Sequence, residues 1–190
     1  MNIKYIYENL KNAGIEFSAG LSEKEIIQIE EYHLFKFPPD YKELLLEKLP
    51  ISGGFYNWRD YKSTVIKEAF EWPLVGIIFD IENNEFWADE WGEKPNTKEE
   101  REKIAKDKIS NFPKLIPING HRYIPCFPNE INNPVYSVYQ TDIIYYGTNL
   151  ENYLANEFAY YFRCSNQGYQ IEKSEIKIIP KWYEFIQKYA

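Results

Sequence analysis

The chain has 190 residues, of which 44% are hydrophobic and 27% charged, so its composition excludes a disordered or fibrous protein and its length fits one domain. Its formal net charge is -7, which disfavours direct binding to nucleic acid or anionic lipid and favours a basic protein partner. No apolar run reaches the roughly 20 residues that cross a bilayer, and the N-terminus lacks a signal-peptide pattern, so we expect a cytoplasmic protein outside the membrane.

Three helices are predicted near the N-terminus, over residues 2–13, 22–33 and 39–49, because their apolar side chains recur at helical spacing. The second of them begins at Ser22, which is followed three residues later by Glu25. This spacing is typical of a capping box, in which the two side chains bond to each other's backbone N–H groups.

The middle of the chain is harder to assign. Residues 60–71 favour a helix, which Trp72 and Pro73 are expected to end, because proline lacks the N–H that continues a helix. The apolar run over residues 73–81 fits either a strand or a helix. Residues 94–110 are dense in charge and are predicted to form an exposed helix or a surface insertion.

Short β-branched and aromatic runs, separated by turn-forming residues, predict an antiparallel meander within residues 114–147. Helical periodicity then returns over residues 150–162 and 182–189. The predicted fold class is therefore α+β, with a mostly antiparallel sheet, helices packed on one side of it, and a single domain over residues 1–190.

The strongest electrostatic feature lies between Glu68 and Glu93, where eight carboxylates occur without a Lys or Arg. They are Glu68, Glu71, Asp80, Glu82, Glu85, Asp89, Glu90 and Glu93. Aromatic rings in the same segment could anchor a partner while the acids steer it, or could simply fasten a loop to the core. The candidate partner-binding residues are Trp58, Glu85, Trp87, Asp89, Glu90, Trp91 and Glu93.

Catalytic and metal-binding chemistry finds little support in the sequence. His121, Arg122 and Cys126 are close in the chain, but a strand that carries such residues among aromatics is ordinary structure. His33 is isolated from His121, and neither Cys126 nor Cys164 has the spacing of a zinc ligand. We therefore expect reduced cysteines, no metal and no cofactor.

Paired carboxylates are a third possible source of chemistry. Asp89 with Glu90, or Glu82 with Glu85, could be drawn as an acid and base pair of a hydrolase. Adjacent carboxylates on a solvated surface are far commoner. We therefore assign no catalytic residue and expect a protein that is not an enzyme.

Two stretches resemble the SUKH superfamily, which contains the yeast cell-wall-assembly regulator and many bacterial immunity proteins. Residues 20–54 are similar to its N-terminal pattern of a capped helix, a proline and tyrosine turn, a second helix and a glycine corner. Residues 85–95 and 115–158 are similar to the sheet and following helix of a bacterial branch. Together the two stretches extend over roughly residues 20–160.

Membership of that superfamily implies a cytoplasmic immunity protein. Its bacterial members neutralise toxins, often nucleases or deaminases, by binding them directly, and they share no catalytic residues. The resemblance therefore implies a non-catalytic domain that binds a basic, nuclease-like toxin. A regulatory or scaffolding module without a toxin partner is the alternative, and an uncharacterised hydrolase is a third.

Overall fold

The computed structural model describes residues 1–162 and 176–190, and these residues form one compact domain of helices and two antiparallel sheets. The helices are α1 (Ile3–Asn12), α2 (Glu23–His33), α3 (Pro39–Glu47), α4 (Thr64–Asn83), α5 (Lys98–Ile109), α6 (Leu150–Glu157) and α7 (Trp182–Tyr189). The strands are β1 (Phe17–Ala19), β2 (Lys48–Pro50), β3 (Leu115–Asn119), β4 (Arg122–Pro125), β5 (Val135–Tyr139) and β6 (Asp142–Gly147). The predicted α+β class is confirmed.

The larger sheet is the predicted meander, with strand order β3-β4-β5-β6 and antiparallel pairing throughout. Strands β1 and β2 form a separate antiparallel ribbon beside it. An isolated bridge between Phe55 and Asn119 extends the edge of β3. None of the helices in the described ranges is long and apolar enough to cross a membrane.

Helices cover both faces of the larger sheet, so the expectation of helices on one side is corrected. Ile116 and Ile124 belong to a core cluster with α1, α2, α3 and α6, whereas their neighbours Leu115 and Tyr123 belong to a second cluster with α4, α5 and α7. Successive residues of a strand point to opposite faces, so the two clusters lie on opposite sides. Unbroken buried runs in β3 and β5 reflect this two-sided packing.

Helix α4 continues through Pro73, so the predicted end at Trp72 is wrong. Proline at this position leaves the carbonyl of Ala69, four residues earlier, without its helical donor. The hydroxyl of Tyr123 on β4 donates a hydrogen bond to that carbonyl at 2.8 Å. The Tyr123 side chain thus gives the Ala69 carbonyl the hydrogen bond that Pro73 cannot donate. The apolar run over residues 73–81 is therefore part of the helix.

Helices α2 and α5 form where the sequence predicts them, whereas α6 is shorter than predicted. Ser22 and Glu25 form the predicted capping box at the start of α2. The charged segment contains the exposed helix α5, in which Ala105 is the buried residue. Helix α6 ends at Glu157, earlier than the predicted residue 162, and turns follow it up to that residue.

Candidate protein-binding surface

Trp58 is not available to a partner, which corrects its place among the candidate binding residues. Its side chain is 0% exposed and lies in the first core cluster. The indole Nε1 donates to the hydroxyl of Tyr41 at 2.8 Å, and the ring packs edge-on against Phe37. The sequence predicts Trp58 as an anchor for a partner, but packing against these rings places it in the interior.

The rings of Phe86, Trp87 and Trp91, in the loop after α4, pack on one another, and Phe86 also packs against Phe185 and Tyr189 of α7. Trp91 is 7% exposed and makes edge-to-face contacts with Phe86 and Trp87, whose ring centroids lie 6.0 and 5.3 Å away. Trp87 is half-buried, and its Nε1 donates to the carbonyl of Gly92 at 2.7 Å. These contacts favour the interpretation that the rings fasten the loop after α4 to the core.

Lys188 of α7 lies against two of the predicted carboxylates. Its Nζ is 3.1 Å from Asp89 and 3.0 Å from Glu90. Tyr189 also donates its hydroxyl proton to Glu90 at 2.5 Å. Burial acts to raise the pKa of Glu90, but the hydrogen bonds from Tyr189 and Lys188 outweigh it and lower the pKa below its ordinary value. This part of the segment is consequently tied to the C-terminal helix and partly neutralised.

The acidic segment does not form one continuous negative surface. Asp80 is buried, and Glu82 is held by Arg101 of α5 at 2.5 Å. Glu68 lies near one end of α4, which is about 30 Å long, whereas the exposed Glu85 and Glu93 follow its other end. The structure therefore divides the carboxylates into two exposed groups at opposite ends of this helix.

A different surface carries the largest exposed rings near this helix. Trp72 is 42% exposed and Phe79 is 47% exposed, and Val75 lies between them on the same side of α4. Val65 continues this row by two turns, and Tyr139 of β5 lies beside it. We call these five residues the α4 face. Along α4 the row is spaced by seven, three and four residues, which is helical periodicity. A helix that ended at Trp72, as the sequence predicts, would not include Val75 and Phe79, so the sequence alone does not reveal the row.

The α4 face is held rigidly against the β5–β6 turn. The indole Nε1 of Trp72 donates to the carbonyl of Val138 at 3.0 Å, and its ring centroid lies 6.5 Å from that of Tyr139. A Cβ atom on Gly76 would lie 2.8 Å from the Cα of Gln140, so the hairpin approaches α4 where the helix has no side chain. The Trp72 ring is therefore held in place before any partner arrives.

The residues considered for catalysis are arranged as ordinary structure. Burial and the charge of Arg122 lower the pKa of the exposed His121, while burial raises the pKa of the half-buried Cys126 thiol. His33 instead bonds the carbonyl of Tyr61 at 2.7 Å. In the part of the chain that the structure describes, no three His, Cys, Asp or Glu side chains form a group that could hold a metal. Cys164 lies outside the described residues, and the absence of metal and cofactor stays a prediction.

Comparison of the chain with protein-family models finds no match, and neither the curated proteins nor the solved structures show a similar protein. The candidate binding surfaces are therefore those described above. Of these, the α4 face is the one that combines exposed aromatic area with a fixed geometry.

Proposed function

We propose that this chain is a non-catalytic, immunity-type protein of the cytoplasm that neutralises a nuclease-like toxin by binding it directly. The resemblance of residues 20–54 to the SUKH superfamily motivates the choice of an immunity protein. The net charge of -7 suits a basic toxin surface of the kind that binds nucleic acid. Occlusion of the toxin's active surface is the whole mechanism, so no catalytic group is needed.

The α4 face is the observation that carries the binding function. Interfaces concentrate their binding energy in a few Trp, Tyr and Arg residues that become fully desolvated on docking. Trp72 and Tyr139 are residues of this kind, and both remain substantially exposed in the free protein. Because the Val138 carbonyl already fixes the Trp72 ring, docking costs little additional side-chain entropy there.

The charges around the α4 face suit a basic partner. Glu68 and Glu71 are exposed on α4 beside Trp72, and Asp142 is exposed opposite Tyr139 in the β5–β6 hairpin. The nearby cation Lys67 lies 4.0 Å from Glu71, at the limit of an ion pair. An apolar centre with an acidic border resembles the usual division of an interface into a dry core and a polar rim.

Site-specific photo-crosslinking tests this proposal in cells of the source organism. A photoreactive phenylalanine analogue replaces Val75 in the α4 face, and the matched control carries it at Lys103, an exposed residue of α5. We expect one protein to be captured from position 75 and not from position 103. Mass spectrometry then identifies that protein for purification.

The captured protein is next expressed in sensitive cells with the wild-type chain, with Val75→Glu or with Lys103→Glu. We expect it to arrest growth, and we expect the wild type and Lys103→Glu, but not Val75→Glu, to restore growth. If the captured protein is not toxic, the immunity function is wrong and a regulatory or scaffolding function takes its place. Full protection by Val75→Glu would show that the α4 face is not the neutralising surface.

A further inference from the structure

A pocket of about 340 Å³ opens at the N-terminal end of the α4 face. It lies between α4 and the β3–β4 turn, and its walls include three aromatic side chains as well as Val65, Ala69 and Gly120. Tyr56, Trp72 and Tyr123 line it together with His121 and Glu68. Trp72 belongs both to this pocket and to the α4 face, so a partner that covers the face also covers the opening.

The donor groups of the aromatic walls are already engaged with backbone carbonyls. Tyr56 donates its hydroxyl proton to Gly120 at 2.7 Å, and Tyr123 donates to Ala69 at 2.8 Å. The indole N–H of Trp72 is bound to Val138. What these walls offer a ligand is therefore ring faces and oxygen lone pairs, which complement a group that is rich in donors.

The charge of the pocket favours a cation. Glu68 is the one charged side chain among the residues that line it, and no Lys or Arg is among them. Burial and the nearby Arg122 lower the pKa of His121, which disfavours a positive charge on its imidazole. The Glu68 carboxylate offers a cation an ion pair, and the aromatic rings beside it offer cation–π attraction.

We propose that this pocket binds the guanidinium group of an arginine side chain presented by the protein partner. Arginine suits it better than lysine, because its planar head stacks on aromatic rings while its N–H groups reach a carboxylate in bidentate geometry. The proposal rests on the proposed protein-binding function and adds the chemistry of one contact. Arginine is also frequent among interface hot spots and on basic toxin surfaces.

The pocket is tested with small probes and the complete chain, without the partner. N-acetyl-L-arginine methylamide is titrated into isotope-labelled protein, and the uncharged isostere N-acetyl-L-citrulline methylamide is the matched ligand control. The indole N–H signal of Trp72, assigned by its loss in Trp72→Phe, and the amides of Gly120 and His121 report on binding. We expect the arginine probe to shift these signals and the citrulline probe to leave them in place.

Charge variants on one helix separate recognition from general electrostatics. Glu68→Gln should raise the Kd of the arginine probe by about three- to fivefold, the scale of an exposed ion pair. Glu71→Gln, one turn along the same helix but outside the pocket, should leave the Kd unchanged. Thermal unfolding of both variants confirms that each retains the fold.

Three results would overturn the proposal: equal binding of the citrulline probe, an unchanged Kd in Glu68→Gln, or tighter binding of free L-arginine than of the blocked probe. The last result would assign the pocket to a free amino acid instead of a partner's side chain. Crosslinking from Val75 is independent of these measurements. If the arginine probe does not bind but position 75 still captures a partner, the pocket proposal is refuted and the proposed protein-binding function is not.

Discussion

Asp80 of α4 accepts two hydrogen bonds from Thr141 in the β5–β6 turn, one from the backbone N at 2.8 Å and one from Oγ1 at 2.6 Å. Its other carboxylate oxygen accepts from Asn84 at 2.6 Å. A buried carboxylate is stable when its oxygens are satisfied in this way. The contact joins the helix to the hairpin that presents Tyr139 beside Trp72, and so supports the α4 face.

Removal of the Asp80 carboxylate should be costly. We expect Asp80→Ala to lower the free energy of unfolding by about 2–4 kcal/mol, because the amide of Thr141 loses its acceptor in a buried site. The exposed Asp142 of the same hairpin is the matched control, and Asp142→Ala should change stability by less than about 0.5 kcal/mol. Urea unfolding measures both values, and equal losses would contradict the role assigned to Asp80.

The bond between Tyr123 and Ala69 should depend on Pro73. We expect Tyr123→Phe to destabilise the protein by about 1–3 kcal/mol, since it leaves a buried carbonyl unpaired. In a Pro73→Ala background the new N–H can reach the Ala69 carbonyl, so the cost of Tyr123→Phe should fall by about 1 kcal/mol. A double-mutant cycle by chemical unfolding measures this coupling. Additive effects would show that Tyr123 does not compensate for the proline.

Acid should weaken the start of α2 through Glu25. The backbone N–H of Ser22, helped by bonds from Arg59 and from the Ser22 hydroxyl, lowers the pKa of Glu25 from 4.5 to about 2. A lowered folded-state pKa contributes stability that is complete above pH 4.5 and is lost as the pH falls towards 2. Glu25→Gln should therefore be less stable than wild type at pH 7, and the difference should shrink across this window.

Glu23, which is exposed and pairs with Lys42, is the matched control for that pH series. Its substitution by Gln removes one carboxylate from the same helical turn and so controls for the loss of a negative charge there. Thermal unfolding between pH 7 and pH 2 provides the comparison. An identical pH profile for Glu25→Gln and wild type would contradict the predicted titration.

Electrostatic steering should come from the carboxylates that no described cation neutralises. Joint reversal of Glu85 and Glu93 to Lys is expected to lower the association rate with the captured partner about tenfold at low salt, with little loss of stability. Glu90→Lys should in addition destabilise the fold by roughly 1 kcal/mol, because it loses the bonds from Lys188 and Tyr189.

Joint reversal of Glu8 and Glu43 to Lys controls for net charge, because it changes the charge by the same amount at exposed residues of α1 and α3 in the opposite helical layer. Rates measured against salt distinguish the cases, since screening acts over about 8 Å at physiological ionic strength. Equal slowing by the Glu8/Glu43 reversal and by the Glu85/Glu93 reversal would attribute the effect to total charge. Association rates equal to that of wild type in both charge-reversed variants would exclude electrostatic steering.

The sequence by itself determined those elements whose signals are local. Ser22 and Glu25 mark the start of α2 because a capping box closes within one helical turn. The turn at Gly120 follows from a residue that accepts a positive φ, and short strands flank it on both sides. Periodicity over a few residues likewise sufficed for the α+β class and for the antiparallel meander of β3 to β6, but not for the short strands β1 and β2.

Only the tertiary structure decided features that depend on residues distant in the chain. Tyr123 completes α4 around Pro73 across 54 residues, and Lys188 reaches Glu90 across 98 residues. Trp58 is buried because Phe37, Tyr41 and Phe70, from separate elements, pack around its ring. Burial, charge pairing and the exposure of the α4 face arise from packing between elements, which no local pattern encodes, and they determine which side chains a partner can reach.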